Sequence, residues 1–230
     1  MTKHKTNKVA LVRNLIIGFV AAVSVLLGGY GLFYSAGGGV PGEFTEGEHF
    51  ELIEGAAEID PDSPIVVTEF FSYYCVHCRN FDPFVEEWRE RLPDGVEFER
   101  SPVAFSPIWA MLGQTYYVLL ANDALDENHD RLFRAIHDNG KQFLSVDMLA
   151  DFVDGHGITA ADFNRSFDSP TIRREIATAN QRAQDLAIRA VPTLVVGDRY
   201  LVETAKVGRR NAFKVVEFLV EQIRSPAGAP

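Results

Sequence analysis

The chain contains only two cysteines, and both lie in one short segment, Cys75-Val76-His77-Cys78. The run before this segment, Ile65–Phe71, is β-branched and aromatic, which is typical of a buried strand. After it, apolar residues recur at spacings of three and four, which predicts an amphipathic helix; they are Phe81, Phe84, Val85, Trp88 and Leu92. The cysteine pair is therefore predicted to lie where a buried strand ends and a helix begins.

This position favours redox chemistry, because the start of a helix presents unpaired backbone N–H groups and the positive end of the helix dipole. Both stabilise a thiolate and lower the pKa of the first cysteine from about 8.5 into the range of roughly 3.5 to 7.5. We expect Cys75 to be the exposed nucleophile and Cys78, one turn later, to be the resolving sulfur. A donated N–H or a positive charge on His77 would stabilise the Cys75 thiolate further.

Two cysteines at this spacing could also belong to a structural zinc site or form a purely structural disulfide. A zinc site usually needs four ligands, whereas the remaining histidines are scattered along the chain. A disulfide that closes a two-residue loop restricts the unfolded chain very little. We therefore expect no metal and no bound cofactor, the redox group being a disulfide between Cys75 and Cys78.

The first half of the body predicts strands and helices in alternation. Phe50–Ile53 is a short candidate strand, and Val96–Arg100 alternates like a strand, so the cysteine segment and its helix lie inside a strand–helix–strand unit. Residues from about 105 to 168 are helical in pattern throughout, with Ser145 and Thr159 as candidate N-caps.

The second half predicts a helix, two strands and a closing helix. Ser169 is a candidate N-cap, Val191–Val196 reads as a strand opened by a proline, and Gly197-Asp198 reads as a tight hairpin. The last helix is predicted over Asn211–Arg224. The fold class is therefore α/β, with a helical insert between the two halves of the sheet.

The amino terminus predicts a membrane segment. Residues 14–42 carry no charge, and Leu15–Tyr34 is almost wholly apolar and long enough, at roughly 30 Å as a helix, to cross a bilayer. Four basic side chains precede it, which by the positive-inside rule leaves the N-terminus in the cytoplasm and the body outside; they are Lys3, Lys5, Lys8 and Arg13. A cleaved signal peptide is the alternative, with Ser35-Ala36-Gly37 as a tolerable cleavage site.

These patterns divide the chain into four parts. Residues 1–14 form a basic cytoplasmic terminus, 15–36 a transmembrane signal anchor, 37–48 a flexible linker and 49–230 the globular domain. The chain has a net charge of −10, and its basic residues are concentrated before the apolar segment, so the body is strongly acidic. An acidic body argues against nucleic acid as a partner.

The segment Glu69-Phe70-Phe71-Ser72-Tyr73-Tyr74-Cys75-Val76-His77-Cys78 resembles the active-site stretch of the DsbA thiol oxidases. That family has a thioredoxin-like fold with an inserted helical subdomain, and the resemblance covers roughly Phe50–Arg224. Arg189-Ala190-Val191-Pro192-Thr193 resembles the second motif of the family, a loop whose cis proline lies against the active-site disulfide. The resemblance thus implies that Pro192 and Val191 belong to the site.

Departures from the family pattern bear on the activity. The commonest dipeptide between the family's cysteines is Pro-His, whereas here it is Val76-His77, a difference that affects oxidising strength. Val191 matches the oxidases, whereas related isomerases have threonine there. The resemblance also implies a buried acid beneath the site paired with a basic residue, and the matching positions are Glu69 and Arg100.

Glu69 could instead be an exposed residue of an edge strand. The histidines His129 and His137 lie in a charged helical segment, and we expect both to be solvated surface residues.

We predict that the protein oxidises substrate thiols in the periplasm or another extracytoplasmic space, through a mixed disulfide on Cys75. The resemblance implies reoxidation by a quinone-linked membrane partner of the DsbB type. One rival is a disulfide reductase or isomerase of the same fold. Another is a chaperone or binding module that needs no thiol.

Overall fold

A computed structural model describes residues 44–225 and, before them, only positions 13, 14, 16–18 and 23. The domain described below begins at Phe44, and its described residues run to Ser225. In the part of the chain that the structure describes, no helix is both long enough and apolar enough to span a bilayer. Most of the predicted anchor, residues 15–36, and most of the predicted linker, residues 37–48, lie outside the described residues.

The domain is built on a mixed sheet of five strands, which in chain order are β1 Glu51–Leu52, β2 Ile65–Phe71, β3 Val96–Pro102, β4 Thr193–Val196 and β5 Tyr200–Glu203. Their spatial order is β1-β5-β4-β2-β3. Strands β2 and β3 are parallel, whereas β4 is antiparallel to β2 and to β5, and β1 is antiparallel to β5.

Helices cover the sheet and form the insert that the sequence predicted. They are α1 Val76–Arg89, α2 Pro107–Ala121, α3 Leu125–His137, α4 Val146–Val153, α5 Ala160–Phe167, α6 Pro170–Asp185, α7 Thr204–Val207 and α8 Arg209–Arg224. Helices α2 to α5 make up the helical subdomain, and α6 leads back to the sheet. This is the mixed α/β arrangement of a thioredoxin-like fold with a helical insert.

Local sequence signals explain where several helices begin. The hydroxyls of Ser145, Thr159 and Ser169 accept hydrogen bonds from backbone N–H groups in the first turns of α4, α5 and α6, at 3.1–3.3 Å. Pro170 occupies the first position of α6, where a missing N–H costs no helical hydrogen bond. The three predicted N-caps are confirmed.

Several element boundaries differ by a few residues from the sequence prediction, and two of the differences have a clear physical reason. Helix α1 ends at Arg89 rather than near Pro93, because the N–H of Arg91 bonds to the Trp88 carbonyl and tightens the last turn. Strand β4 begins at Thr193 rather than at Val191, since the intervening proline has no backbone N–H to contribute to a ladder.

The hairpin between β4 and β5 turns at Gly197 and Asp198, which both have positive φ, of 59° and 53°. This is the backbone that a two-residue hairpin prefers. A Cβ on Gly197 would lie 2.3 Å from Cδ1 of Ile59, so glycine also admits close packing there. The hairpin prediction is confirmed.

Two large apolar cores meet at β2. Ile65 and Val67 pack with α1 and α8, whereas Phe71, farther along the same face of the strand, packs with the helical insert. Glu69 lies between Val67 and Phe71 on that face and is only 2% exposed. The alternative of an exposed edge residue is therefore wrong, because β2 has neighbouring strands on both sides and is covered on this face.

Candidate active site

The structure places Cys75 at the N-cap of α1 and Cys78 in the first turn of that helix. The turn that leads into the helix is held by two hydrogen bonds to Ser72, one from the Cys75 N–H to its carbonyl and one from the Tyr74 N–H to its hydroxyl, each 3.1 Å long. Both cysteines are free thiols. Cys75 retains 8% exposure and Cys78 has none, so only Cys75 is open to another molecule.

The surroundings of Cys75 stabilise its thiolate. A hydrogen bond from the Cys78 thiol is the largest effect, and backbone N–H groups of Cys78 and His77 add to it, so that together they outweigh burial and lower the pKa of Cys75 to about 6. The charge of His77 acts in the same direction. At neutral pH the Cys75 sulfur is therefore mostly a thiolate.

Cys78 has the opposite behaviour. Burial, the interaction with Cys75 and repulsion by the Glu69 carboxylate raise the pKa of Cys78 well above its ordinary value. The pair is thus asymmetric: one sulfur is an accessible thiolate and the other is a buried thiol whose proton must be moved during any exchange.

Val191 and Pro192 lie against the nucleophile. The Val191–Pro192 peptide bond is cis, and the Val191 carbonyl oxygen is 3.5 Å from the Cys75 sulfur. The loop is anchored by Thr204, whose hydroxyl donates to the Pro192 carbonyl at 2.7 Å, and by Thr193, whose hydroxyl donates to the Ala190 carbonyl at 2.9 Å. The structure therefore brings the two predicted motifs together.

Beneath the cysteines, Arg100 is buried and bonds to three carboxylates. Its Nε donates to Glu69 Oε2 at 2.9 Å, and its Nη2 donates to Asp82 Oδ1 at 2.8 Å and to Glu86 Oε1 at 2.7 Å. Glu69 and Arg100 are register partners in the parallel pair of β2 and β3. The predicted ion pair is present, and α1 contributes two further acids that the sequence analysis did not identify.

Burial is the main reason that Glu69 holds a proton more tightly than usual. It raises the pKa of Glu69 to about 7 even though Arg100 acts against it, and repulsion by Asp82 adds to the rise. Burial opposes the charge on Arg100, but its carboxylate partners prevail and raise the pKa of Arg100. Glu69 is therefore poised to take up or release a proton near neutral pH.

We expected His129 and His137 to be solvated surface residues. This is wrong for His129, which is buried, and only partly right for His137, which is half-buried. His129 is 7% exposed, with Nε2 3.1 Å from Asp82 Oδ1 and Nδ1 2.7 Å from the Tyr73 hydroxyl. His137 is half-buried, with Nε2 2.9 Å from the Tyr73 carbonyl oxygen. Both histidines connect the helical insert to the segment before Cys75.

The sequence contained a signal for the burial of both Asp82 and His129. Asp82 lies four residues after Cys78, in the buried stripe of α1 that also includes Phe81 and Val85. His129 lies four residues before the buried Phe133 and so belongs to the apolar face of α3. In both cases a polar residue occupies an apolar position of the helical repeat, and this pattern indicates that the residue is buried.

The surface around Cys75 is partly apolar. Tyr74 is 46% exposed and Val76 is 48% exposed, so the nucleophile lies between two large accessible side chains. His77 is exposed as well. Such a rim is suited to contact with another polypeptide.

Comparisons with known proteins agree with this geometry. A family model described as a DSBA-like thioredoxin domain matches residues 66–219. The Thiol:disulfide interchange protein DsbA of Azotobacter vinelandii is 30% identical over 214 residues, which are 93% of this chain and 99% of that protein. The protein of the same name from Bordetella parapertussis is 33% identical over 167 residues, 72% of this chain and 79% of that protein.

Solved structures give the same result. The crystal structure of Pseudomonas aeruginosa DsbA is similar with a TM-score of 0.75 and 29% identity, covering 80% of this chain and 96% of that one. The oxidoreductase NmDsbA1 from N. meningitidis has a TM-score of 0.69 at 18% identity, covering 80% of this chain and 96% of that one, and supports the fold alone.

The thiolate at Cys75 generates a prediction about stability. Its pKa is about 6 in the folded reduced protein, against an ordinary value of 9.0, so ionisation stabilises the reduced fold fully above pH 9 and not at all well below pH 6. Between pH 5 and pH 8 the reduced form should gain about 2.5 kcal/mol over the oxidised form. Denaturant unfolding of a fragment spanning residues 44–230, in both redox states, measures this gain.

The control is Cys75→Ser, which cannot form the disulfide and lacks the titrating thiol; its unfolding free energy should lack the pH-dependent component that the reduced wild type shows. A difference between the two redox states that stays constant from pH 5 to pH 8 would contradict stabilisation by the thiolate. The two-residue disulfide loop contributes little to either result.

Proposed function

The chain belongs to the DSBA-like thioredoxin family and is a thiol:disulfide oxidoreductase, and we propose that it acts as an oxidase that donates the Cys75–Cys78 disulfide to protein thiols outside the cytoplasm. The observation that carries the proposal is the asymmetry of the pair. A thiolate as stable as that of Cys75 is a good leaving group and favours the reduced state of the protein, which makes the disulfide oxidising.

In the proposed reaction, a substrate thiolate attacks the Cys75 sulfur of the disulfide and forms a mixed disulfide, while Cys78 leaves as a thiolate. Glu69 transfers a proton to Cys78, which is buried and does not tolerate the charge. A second substrate thiolate then attacks the substrate sulfur of the mixed disulfide, and Cys75 leaves as a thiolate. Two substrate thiols are oxidised to a disulfide, and the enzyme disulfide is reduced to a dithiol.

The neighbouring residues take supporting roles in this proposal. His77 stabilises the Cys75 thiolate, and Arg100 holds Glu69 in place. Val191 and Pro192 lie beside the Cys75 sulfur and position the substrate chain. The exposed Val76 contacts the substrate and contributes to the potential.

The enzyme must be reoxidised after each turnover, and we assign this step to a quinone-linked membrane protein of the DsbB type. Because Cys78 has no exposure, the reoxidant must also react through Cys75. Protein substrates and the reoxidant therefore compete for one surface.

The redox potential distinguishes an oxidase from a reductase of the same fold. We expect equilibration with glutathione at pH 7 to give a potential above about −180 mV, more oxidising than a disulfide isomerase, because the reduced form is stabilised by the Cys75 thiolate. A potential clearly below that value would contradict the oxidase proposal. Cys75→Ser should abolish activity, whereas a thiol-independent chaperone would retain it.

The roles of the two sulfurs give a separate prediction. When Cys78→Ser is mixed with the disulfide-linked dimer of a cysteine-containing peptide, its Cys75 thiolate should displace one peptide thiolate, and the mixed disulfide should accumulate because the resolving thiol is missing. In the reduced wild-type protein at pH 7, iodoacetamide should label Cys75 well before Cys78, as read by peptide mass spectrometry. Faster labelling of Cys78 would reverse the assignment.

The proposed location rests on the amino-terminal sequence. We propose that residues 15–36 anchor the protein in the cytoplasmic membrane, with the basic residues inside and the catalytic domain in the periplasm. Alkaline phosphatase fused after Gly42 should be active and β-galactosidase at the same junction inactive. The reverse pattern would overturn the compartment, and a mature N-terminus near Gly37 would overturn the anchor in favour of a cleaved signal peptide.

A further inference from the structure

His129 lies on the helical insert, yet it contacts two groups of the thioredoxin-like part of the domain. Its Nδ1 is 2.7 Å from the hydroxyl of Tyr73, two residues before the nucleophile, and its Nε2 is 3.1 Å from Asp82 in α1. Asp82 in turn accepts a hydrogen bond from Arg100, which donates to Glu69. A continuous chain of hydrogen bonds thus joins the insert to the buried acid.

The direction of each hydrogen bond in this chain follows from the groups involved. Burial lowers the pKa of His129 despite the opposing effect of Asp82, so the ring is neutral at pH 7 and carries one N–H. Asp82 is an ionised acceptor, and therefore Nε2–H donates to it. Nδ1 is then the acceptor of a hydrogen bond from the Tyr73 hydroxyl. That hydroxyl keeps its proton, because burial raises the pKa of Tyr73 well above its ordinary value.

From this geometry we propose that His129 is a positioning residue for disulfide exchange. It fixes Tyr73 beside the nucleophile and holds the Asp82 carboxylate on Arg100, in the arrangement that lets Glu69 exchange a proton with Cys78. The proposal rests on the proposed role of Glu69 as the proton donor. It extends the site from the thioredoxin-like part of the domain into the helical insert.

His129 acts on Glu69 indirectly, because Asp82 and Glu69 compete for Arg100. Burial by itself would raise the pKa of Asp82. Its polar contacts outweigh burial and lower the pKa below the ordinary value, and the hydrogen bond from His129 is the largest of them. Ionised Asp82 occupies Nη2 of Arg100 and repels the charge on Glu69. Without His129, Asp82 takes up a proton more readily, and Arg100 then stabilises the Glu69 carboxylate more strongly.

Other titratable groups lie beside this chain of hydrogen bonds and belong to several helices. Glu86 of α1 shares Arg100, and it lies at a cavity of about 900 Å³ that Asp82, Arg100 and His129 also line. Glu69 further interacts electrostatically with Cys78 of α1 and Tyr116 of α2. Tyr116 stays neutral at the relevant pH, because burial raises its pKa to about 12. Of the groups facing Glu69, those that contact His129 directly are Asp82 and Tyr73.

The test is the rate at which the oxidised full chain reacts with a single-cysteine peptide from pH 5 to pH 9, divided by the thiolate fraction of the peptide. Starting from the disulfide removes the titration of Cys75. In the wild type the corrected rate should fall as pH rises through about 7, because only protonated Glu69 can supply the proton to Cys78.

His129→Leu should lower the midpoint of the pH–rate profile by about 1 pH unit, which is the size of one charge interaction on a buried carboxyl group. The reaction at pH 7 should then be about fivefold slower. His129→Gln keeps an N–H donor for Asp82 and should restore the wild-type midpoint. The matched control is His156→Leu, which breaks an exposed 2.8 Å contact with Glu127 on the same insert and should leave the profile unchanged.

An unchanged midpoint in His129→Leu would overturn the proposal, and so would an equal shift in His129→Gln. If His129→Leu fails to fold, Tyr73→Phe tests the proposal instead. Loss of the Tyr73 hydroxyl removes one of the two hydrogen bonds that hold the His129 ring, so the midpoint should move in the same direction. An unchanged midpoint in Tyr73→Phe would overturn the proposal. Glu69→Gln separates the two hypotheses. If it abolishes the titration while the His129 variants leave it in place, the role of Glu69 stands and that of His129 fails; if the titration persists in Glu69→Gln, both fail.

Discussion

A carboxylate inside a central strand requires a partner, because removing an unpaired charge from water costs several kcal/mol even after the protein relaxes. In this domain the partner of Glu69 is Arg100, at the register-matched position of the next parallel strand. Arg100 is itself only 8% exposed and needs more than one acceptor, which α1 provides through Asp82 and Glu86. The placement of α1 over β2 and β3, and hence the depth of Cys78, is tied to this ion cluster.

Three carboxylates share one guanidinium, and burial raises the pKa of the least exposed of them, Glu69, to about 7 although Arg100 opposes the rise. The cluster therefore contains a group that changes its protonation state in the same pH range in which Cys75 ionises. Disulfide exchange needs one sulfur to be released as an anion and the other to be protonated. The surroundings of the two sulfurs differ accordingly, since the Cys78 thiol and the N–H groups at the helix N-terminus lower the pKa of Cys75, whereas burial and the Glu69 carboxylate help to raise that of Cys78.

Most of the fold could be predicted from the sequence, because its signals are local. The strand before the cysteines, the N-caps of the insert and the hairpin at Gly197-Asp198 are each specified by a few adjacent residues. The pairing of Glu69 with Arg100 came from the family resemblance, since a parallel register between strands 31 residues apart leaves no local trace. The contacts of His129 and Asp82 could not be predicted from the sequence, because their positions on apolar helix faces indicate burial but do not identify the partners. Tertiary proximity between the insert and α1 is what turns these polar residues into buried ones.

The burial pattern within the Cys75–Cys78 segment has a consequence for how such proteins diversify. Both sulfurs are buried, whereas the two side chains between them are exposed: Val76 is 48% exposed and His77 also faces solvent. Exchanging His77 changes the electrostatic surroundings of Cys75, whereas exchanging either side chain removes no contact from the apolar cores on which the domain depends. The intervening dipeptide can therefore vary without loss of the packing that stabilises the scaffold.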